Sequence, residues 1–299
     1  MPSNRARTLA ALLVALCLLA FSLACGGDSD DTAEDAADDA GGGDEAVAQT
    51  PYTPTGNEGS IVGVVNYAGG PPTPKPISMD QDPVCAQSGA NAVAEDIVVN
   101  GDKLSNVFIY IKDGKVGDKN ITNLSFAPPA QPAVLDQHGC HYVPHILGIQ
   151  TKQNLEIKNS DATSHNVNVD AAKNTKFNQG QPNGAAPITK QFARAETLIP
   201  VKCNQHPWMR AYIGVVGHPF FAVSGPDGKF EIKGVPPGTY NLVAWHEKYP
   251  QGQTVSVTVG AKEAKQNDFS FTSDQLKAEL QDGALKIMPA LEIPLVGHH

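Results

Sequence analysis

The chain has 299 residues, 41% of them hydrophobic and 18% charged, with a formal net charge of −9 at pH 7. The imbalance lies in the first 50 residues, where Asp28, Asp30, Asp31, Glu34, Asp35, Asp38, Asp39, Asp44 and Glu45 face only Arg5 and Arg7; the remainder carries 20 basic and 22 acidic groups. A body so near neutrality offers no electrostatic footprint for nucleic acid or for an anionic membrane surface, and the length allows one large domain or two ordinary ones.

In chain order the first segment is a targeting signal. Arg5 and Arg7 precede an apolar run from Leu9 to Ala24 that is too short to span a bilayer comfortably, and small residues follow at Ala24-Cys25-Gly26. A cleavage point immediately before a Cys resembles the bacterial lipobox. That resemblance implies removal of residues 1–24, a lipid-modified Cys25 as the mature N-terminus, and an exported protein held to the lipid bilayer on its periplasmic or outer side. An ordinary secretory signal or a short membrane anchor is the alternative. Residues 25–58 follow as an acidic linker. Such a stretch cannot bury enough apolar surface to offset its ordering entropy, and its like charges keep it extended.

Of the five cysteines, Cys17 lies in the signal and Cys25 is the lipid site, which leaves Cys85, Cys140 and Cys203 in a compartment where disulfides persist. Cys85–Cys140 is the preferred pairing, with Cys203 as an odd thiol that calls for an occupant. No long segment of the body shows helical periodicity. Short β-rich runs bounded by Gly, Pro, Asn and Asp predict an all-β body of sandwiches or barrels, the clearest being Ile61 to Val65, Val107 to Ile111, Leu155 to Lys158 and Val255 to Val259. Gly225-Pro226-Asp227-Gly228 is a turn, with Pro to fix φ and Gly to accept φ > 0, and Val235-Pro236-Pro237-Gly238 leads into a strand from Asn241 to Trp245. Residues 272–299 are expected to be a short peripheral helix and tail, opened by the capping box Thr272-Ser273-Asp274-Gln275 ahead of Leu276 and Leu280 and ended by Gly283.

Two textures divide the body. Residues 219–271, with Asp227-Gly228-Lys229-Phe230-Glu231-Ile232 and Val235-Pro236-Pro237-Gly238-Thr239-Tyr240, resemble the second half of a carboxypeptidase-regulatory, or transthyretin-like, β-sandwich. The usual opening strand of that family resembles Gly59-Ser60-Ile61-Val62-Gly63-Val64-Val65-Asn66-Tyr67, much earlier in the chain than the family's spacing implies. Splicing residues 130–218 as a second β-domain into a loop of the first resolves the spacing, because compact domains commonly have neighbouring termini. Residues 59–129 and 219–271 are then two parts of one sandwich. Two consecutive domains, with 59–127 a separate module, is the alternative.

The inserted stretch carries the chemistry. Cys203-Asn204-Gln205-His206-Pro207-Trp208-Met209 spaces a thiolate, an imidazole and a thioether three residues apart, so one tight loop can aim all three at a point. His165, in Ser164-His165-Asn166-Val167, can add a second imidazole from another strand. One thiolate, two imidazoles and a thioether are the donors of a blue-copper site, with His₂Cys in a plane and Met on a weak axis. These residues resemble the cupredoxin family, and the Cys-x-x-His-x-x-Met loop resembles its amicyanin-like members. The resemblance implies a Greek-key sandwich over 130–218 and one type 1 copper ion held by His165, Cys203, His206 and Met209. Asn166 becomes the amide that ties the two ligand-bearing segments together. With no coordination position left for a substrate, it implies an electron carrier and not an enzyme. It also makes His206 the outermost ligand, with Pro207 and Trp208 as an apolar rim on which a redox partner protein docks. Exchange of His206 for Gly is then expected to open the site to external imidazole. Asn204-Gln205, where the family commonly has Ser/Thr-Pro, and Pro200-Val201-Lys202, where an aromatic strand residue is common, depart from the pattern without removing a ligand.

Zinc accepts Cys and His but has no use for Met209, and a copper chaperone has no need of a rigid His-Asn-Val clamp. His138, His141 and His145 cluster in one segment, with His218 and His246 further on. Three of these around a second copper would make a copper oxidoreductase, but their spacing does not assemble three ligands, and structural or surface histidines are the simpler expectation. His298 and His299 can bind metal adventitiously. The second class of function is a structural or polymer-binding surface lipoprotein whose metal only stabilises it.

Overall fold

Two β-sandwiches, one looped out of the other, account for residues 49–89 and 91–275, the residues described by this computed structural model. The signal segment, Cys25, most of the acidic linker and the expected helix beyond Gln275 lie outside the described residues. The start of that helix does show the reciprocal bonds of a capping box: Thr272 N–H donates to Gln275 Oε1 at 3.0 Å, and Gln275 N–H to Thr272 Oγ1 at 3.2 Å.

Gly59–Ala68 is the central strand of the outer sandwich, and its buried residues Ile61, Gly63, Val65 and Tyr67 follow the period of two that puts alternate side chains on one face. It pairs antiparallel with Lys229–Val235 and Lys103–Leu104, and parallel with Ala264–Gln266 and Phe269–Thr272. The facing sheet runs Phe221–Val223, Phe108–Val116, Gly238–His246, Tyr249–Val259. Ile61, Leu104, Ile111, Ile232 and Leu242 fill the space between, none of them exposed. The Tyr240 hydroxyl donates to the Pro236 carbonyl at 2.7 Å and pins the Val235-to-Gly238 corner.

The chain leaves this sandwich after Phe108–Val116 and returns as Phe221–Val223. These two strands pair antiparallel, Phe221 opposite Tyr110, so the sandwich that begins at Ala133 is looped out from one sheet edge, after Lys119–Asn120 has paired back on Phe108–Val116. The looped-out part is itself a sandwich. One sheet runs Ile146–Gln150, Arg210–Val216, Glu196–Lys202, His165–Val169, Phe177–Gln181; the other runs Ile188–Gln191, Asn154–Asn159, Ala133–His138, His141–Val143. Each contains one parallel pair, which hairpins alone cannot make, so the chain must cross between the sheets. Leu135, Ile149, Ile157, Val167 and Ile213 form its core. The two sandwiches meet through Phe108, Ile146 and Val216, with Tyr212, Phe221 and Trp245 around them. Gly148 and Gly214 let the surfaces approach: a Cβ at Gly148 meets the Phe221 ring at 2.4 Å, and one at Gly214 meets the Phe108 ring at 2.5 Å.

Two features differ from the expectation. Residues 49–58, grouped with the linker by sequence, belong to the body. Thr50–Pro51 pairs parallel with Leu124–Ser125, and the Tyr52 ring lies 5.2 Å from that of Phe126. The stretch carries one acid, Glu58, which accepts from the Tyr52 hydroxyl, so the repulsion that extends the preceding residues is absent. A short helix, Pro83–Ser88, was also not foreseen. Asp82 caps it by accepting from Val84 N–H and Cys85 N–H, with Pro83 in the first turn where its missing N–H costs nothing.

Burial also sets a pH response. His218 and His246 are 5% and 1% exposed, and desolvation lowers their pKa values to about 4 and about 3. Both are neutral when folded but take up a proton near pH 6.5 when unfolded, so the stability they leave intact above that pH is lost as pH falls toward the folded values. His218 alone is expected to remove on the order of 3 kcal/mol between pH 6.5 and 4. Urea unfolding at a series of pH values measures the loss, and His218→Asn should flatten it.

Candidate metal centre

Cys203 follows directly on the strand Glu196–Lys202, and Met209 directly precedes Arg210–Val216. Lys202 lies opposite Arg210, so residues 203–209 form the loop of an antiparallel hairpin. Cys203 N–H donates to Met209 O at 3.2 Å and Met209 N–H to His206 O at 2.9 Å, which folds the loop back on itself. His165 opens the adjacent strand, His165–Val169, which pairs with Glu196–Lys202 at Asn168 opposite Lys202. The strand register therefore brings His165 to the hairpin loop.

There His165, Cys203 and His206 converge, one ligand atom from each lying within 4.8 Å of the others. The two Nδ1 atoms are 2.8 Å apart, and Cys203 Sγ is 3.7 Å from His206 Nδ1. The three residues are 0, 3 and 3% exposed, and Met209, fully buried, shares the core with Cys203. Asn166 Oδ1 accepts from Asn204 N–H at 2.7 Å and from the Cys203 thiol at 3.4 Å, while its amide donates to Asn178 Oδ1 at 2.7 Å. It ties the His165 strand to the Cys203 loop. The donors fit copper: a buried thiol left out of any disulfide, two imidazole nitrogens turned toward one another, and a thioether in the same buried cluster.

Behind each imidazole stands a carboxylate that the sequence did not single out. Asp161 Oδ2 lies 2.9 Å from His165 Nε2, and Asp161 also accepts from Gly139 N–H at 2.7 Å and Cys140 N–H at 2.8 Å. Asp82 Oδ2 lies 3.4 Å from His206 Nε2 and accepts from the Thr163 hydroxyl at 2.6 Å. Each carboxylate favours the proton on Nε2 and leaves the Nδ1 lone pair facing the centre, the usual way a carboxylate orients a metal-binding imidazole. Burial lowers the pKa of His165 against the raising effect of Asp161. The Thr163 hydroxyl, more than any other partner, holds the Asp82 carboxyl below its ordinary range. Asp161, four residues before His165, and the Asp-Pro step at Asp82 were the available signals. Asp161→Asn is expected to weaken copper binding roughly 10–100-fold, read by competition against a chelator, with the fold retained.

The edge of His206 is not open. The Pro83–Ser88 helix covers it, with Cys85 Sγ 3.9 Å from Nε2, and Cys85 is bonded to Cys140 with 5.6 Å between the Cα atoms. Trp208 packs on the same buried cluster and donates its indole N–H to Cys140 O at 3.1 Å; its ring centre is 5.0 Å from that of His206. Of the expected rim only Pro207 is exposed, Trp208 is half-buried, and His206 is covered. His206 is thus covered, whereas the loop pattern implied an outermost, exposed side chain. The covering segment comes from the outer sandwich, which a loop pattern cannot reveal. Of the other histidines, His138 is exposed and His218 is buried elsewhere, while His141 and His145 share the neighbour Glu95 and buried His246 lies within electrostatic reach of His145.

A family model described as polysaccharide lyase family 4, domain II, matches residues 180–267, less than a third of the chain, crossing from the inner sandwich into the outer. Residues 219–267 thus match that family and not the carboxypeptidase-regulatory one. No curated protein matches. Among solved structures, a copper(I) form of an amicyanin variant is 21% identical over 28% of this chain and 81% of its own, with a TM-score of 0.25. A purple cupredoxin from Nitrosopumilus maritimus is 19% identical over 28% of this chain and 98% of its own, with a TM-score of 0.24. A copper-containing nitrite reductase from Thermus scotoductus is 20% identical over 30% of this chain and 25% of its own, with a TM-score of 0.27.

Proposed function

We propose that the chain is an exported, lipid-anchored type 1 copper protein that carries single electrons and catalyses no reaction of its own. The observation that carries this reading is the convergence of His165 Nδ1, His206 Nδ1 and the Cys203 sulfur in a buried pocket beside Met209. Copper held there supplies a one-electron couple, since thiolate and imidazole donors suit both of its oxidation states. Cys203, His165 and His206 would hold the ion, with the Met209 thioether as a further soft donor. Asp161, Asp82 and Asn166 fix the donors, so that little has to move when the charge changes. Burial excludes water and leaves no room for a substrate. With His206 covered, a redox partner reaches the centre from the side of Pro207 and Trp208, and Cys25 holds the protein to the bilayer through its lipid. Purified protein given one equivalent of Cu(II) should turn intensely blue or green and bleach reversibly with ascorbate. Colourless protein, or zinc in place of copper on Cys203 after native purification, overturns the reading.

The match to a polysaccharide lyase domain favours a second reading, in which the outer sandwich binds a surface polymer and the metal only stabilises it. Retardation of the protein in gels containing acidic polysaccharide, unchanged by removal of the metal, would support it.

A further inference from the structure

His141 and His145 leave the inner sandwich toward Glu95 and Glu247. His141 Nδ1 lies 3.3 Å and His145 Nδ1 3.7 Å from one oxygen, Glu95 Oε2, while His145 Nε2 lies 2.5 Å from Glu247 Oε1. The side chains of His145 and Glu247 are each 8% exposed. His145 Nδ1 is buried with no hydrogen-bond partner among the described residues. A cavity lined also by Asp96, Trp208, Arg210 and Lys248 opens beside them.

We infer that Glu95, His141 and His145 form a second cation site, separate from the Cys203 centre, for a borderline divalent ion such as Zn²⁺ or Cu²⁺. Glu247 occupies one nitrogen of His145 from behind and leaves the other as a buried lone pair directed at Glu95, the pattern in which a carboxylate orients a metal-binding imidazole. A tetrahedral ion with bonds of about 2.0–2.1 Å sets its donors about 3.4 Å apart. The separations of 3.3 and 3.7 Å from Glu95 Oε2 to the two nitrogens bracket that spacing, but the three donors do not all lie within 4.8 Å of one another as they stand. For one ion to meet both rings, His141 turns toward His145; its side chain is 21% exposed and so has the freedom to do so. Two nitrogens and a carboxylate suit zinc or copper(II), and the cavity leaves room for a water as fourth ligand. The thiolate-free donor set also excludes the preference for copper(I) that Cys203 confers on the other centre.

The test uses full-length protein with His298→Ala and His299→Ala, so that the terminal imidazoles do not compete. The protein is loaded with one equivalent of Cu(II), desalted and titrated with Zn(II). One equivalent of zinc should bind while the Cys203 colour stays unchanged, with zinc absorption fine structure showing imidazole ligands. Glu95→Gln and His141→Ala, both at partly exposed positions, should melt as the parent does yet weaken zinc binding at least tenfold. Failure to bind the zinc, or undiminished binding in both variants, overturns the inference and identifies the cluster as polar contacts of His141 and His145 with the two carboxylates. Because this site shares no ligand with the Cys203 centre, the same titration on protein that develops no copper colour tests it independently.

Discussion

Exchange of Cys203 for Ser should abolish the visible colour of the copper-loaded protein and release the metal to chelators that the parent resists. Ser offers a hard hydroxyl of similar size, so the fold is expected to survive, and far-UV circular dichroism and the melting temperature of the metal-free protein check that it does. What disappears is the thiolate, the soft donor that favours Cu(I) and the source of the sulfur-to-copper charge transfer. The loss in Cu(I) affinity should exceed the roughly 10–100-fold expected when only an orienting partner such as Asp161 is altered. Cys203 sits in an apolar core, 3% exposed, between Asn166 and His206, and no other free cysteine exists among the described residues to replace it. A Cys203→Ser protein that keeps the intense band would remove the thiolate from the centre and the electron-transfer reading with it.

Much of this centre was legible in the sequence because its donors are encoded locally. Cys203, His206 and Met209 lie on one hairpin loop, where spacing alone lets them converge, and His165-Asn166-Val167 is a recognisable partner segment. The strand runs were legible for a similar reason: alternation in Gly59–Ala68 and the apolar blocks of Phe108–Val116 and Gly238–His246 report burial directly. What could not be read is what arrives from a distance. Asp82 and Cys85 lie more than a hundred residues before His206, and only the tertiary fold sets them against it. Glu95 and Glu247 come from opposite ends of the outer sandwich sequence to reach His145. The boundary at residue 49 was missed because composition changes gradually there, whereas the pairing of Thr50 with Leu124 is a long-range contact. Greek-key crossing within the inner sandwich is likewise a property of strand order, which local patterns do not specify.

Removal of the Cys85–Cys140 bridge by paired Cys→Ser exchange is expected to have the largest effect on both stability and access. The bridge spans 55 residues of sequence, and a loop of that size is worth about 4 kcal/mol in the chain-entropy account. For a body of this length that corresponds to a fall of roughly 8–16 °C in melting temperature. The bridge also pins the Pro83–Ser88 helix over His206 and joins the two carboxylate mounts, since Asp82 accepts from Cys85 N–H and Asp161 from Cys140 N–H. Access follows from the same geometry. In a His206→Gly protein that keeps the bridge, the vacated space remains under Cys85 and Trp208, so external imidazole should not restore the parent spectrum at concentrations that restore it once the bridge is also removed. Titrating imidazole into the two copper-loaded variants, with absorbance as the readout, separates the cases. Equal restoration in both would mean that the helix does not shield His206, and the exposed edge read from the loop would stand after all. Restoration only without the bridge would make the outer sandwich a cover for the inner one's metal, with the disulfide as its fastening.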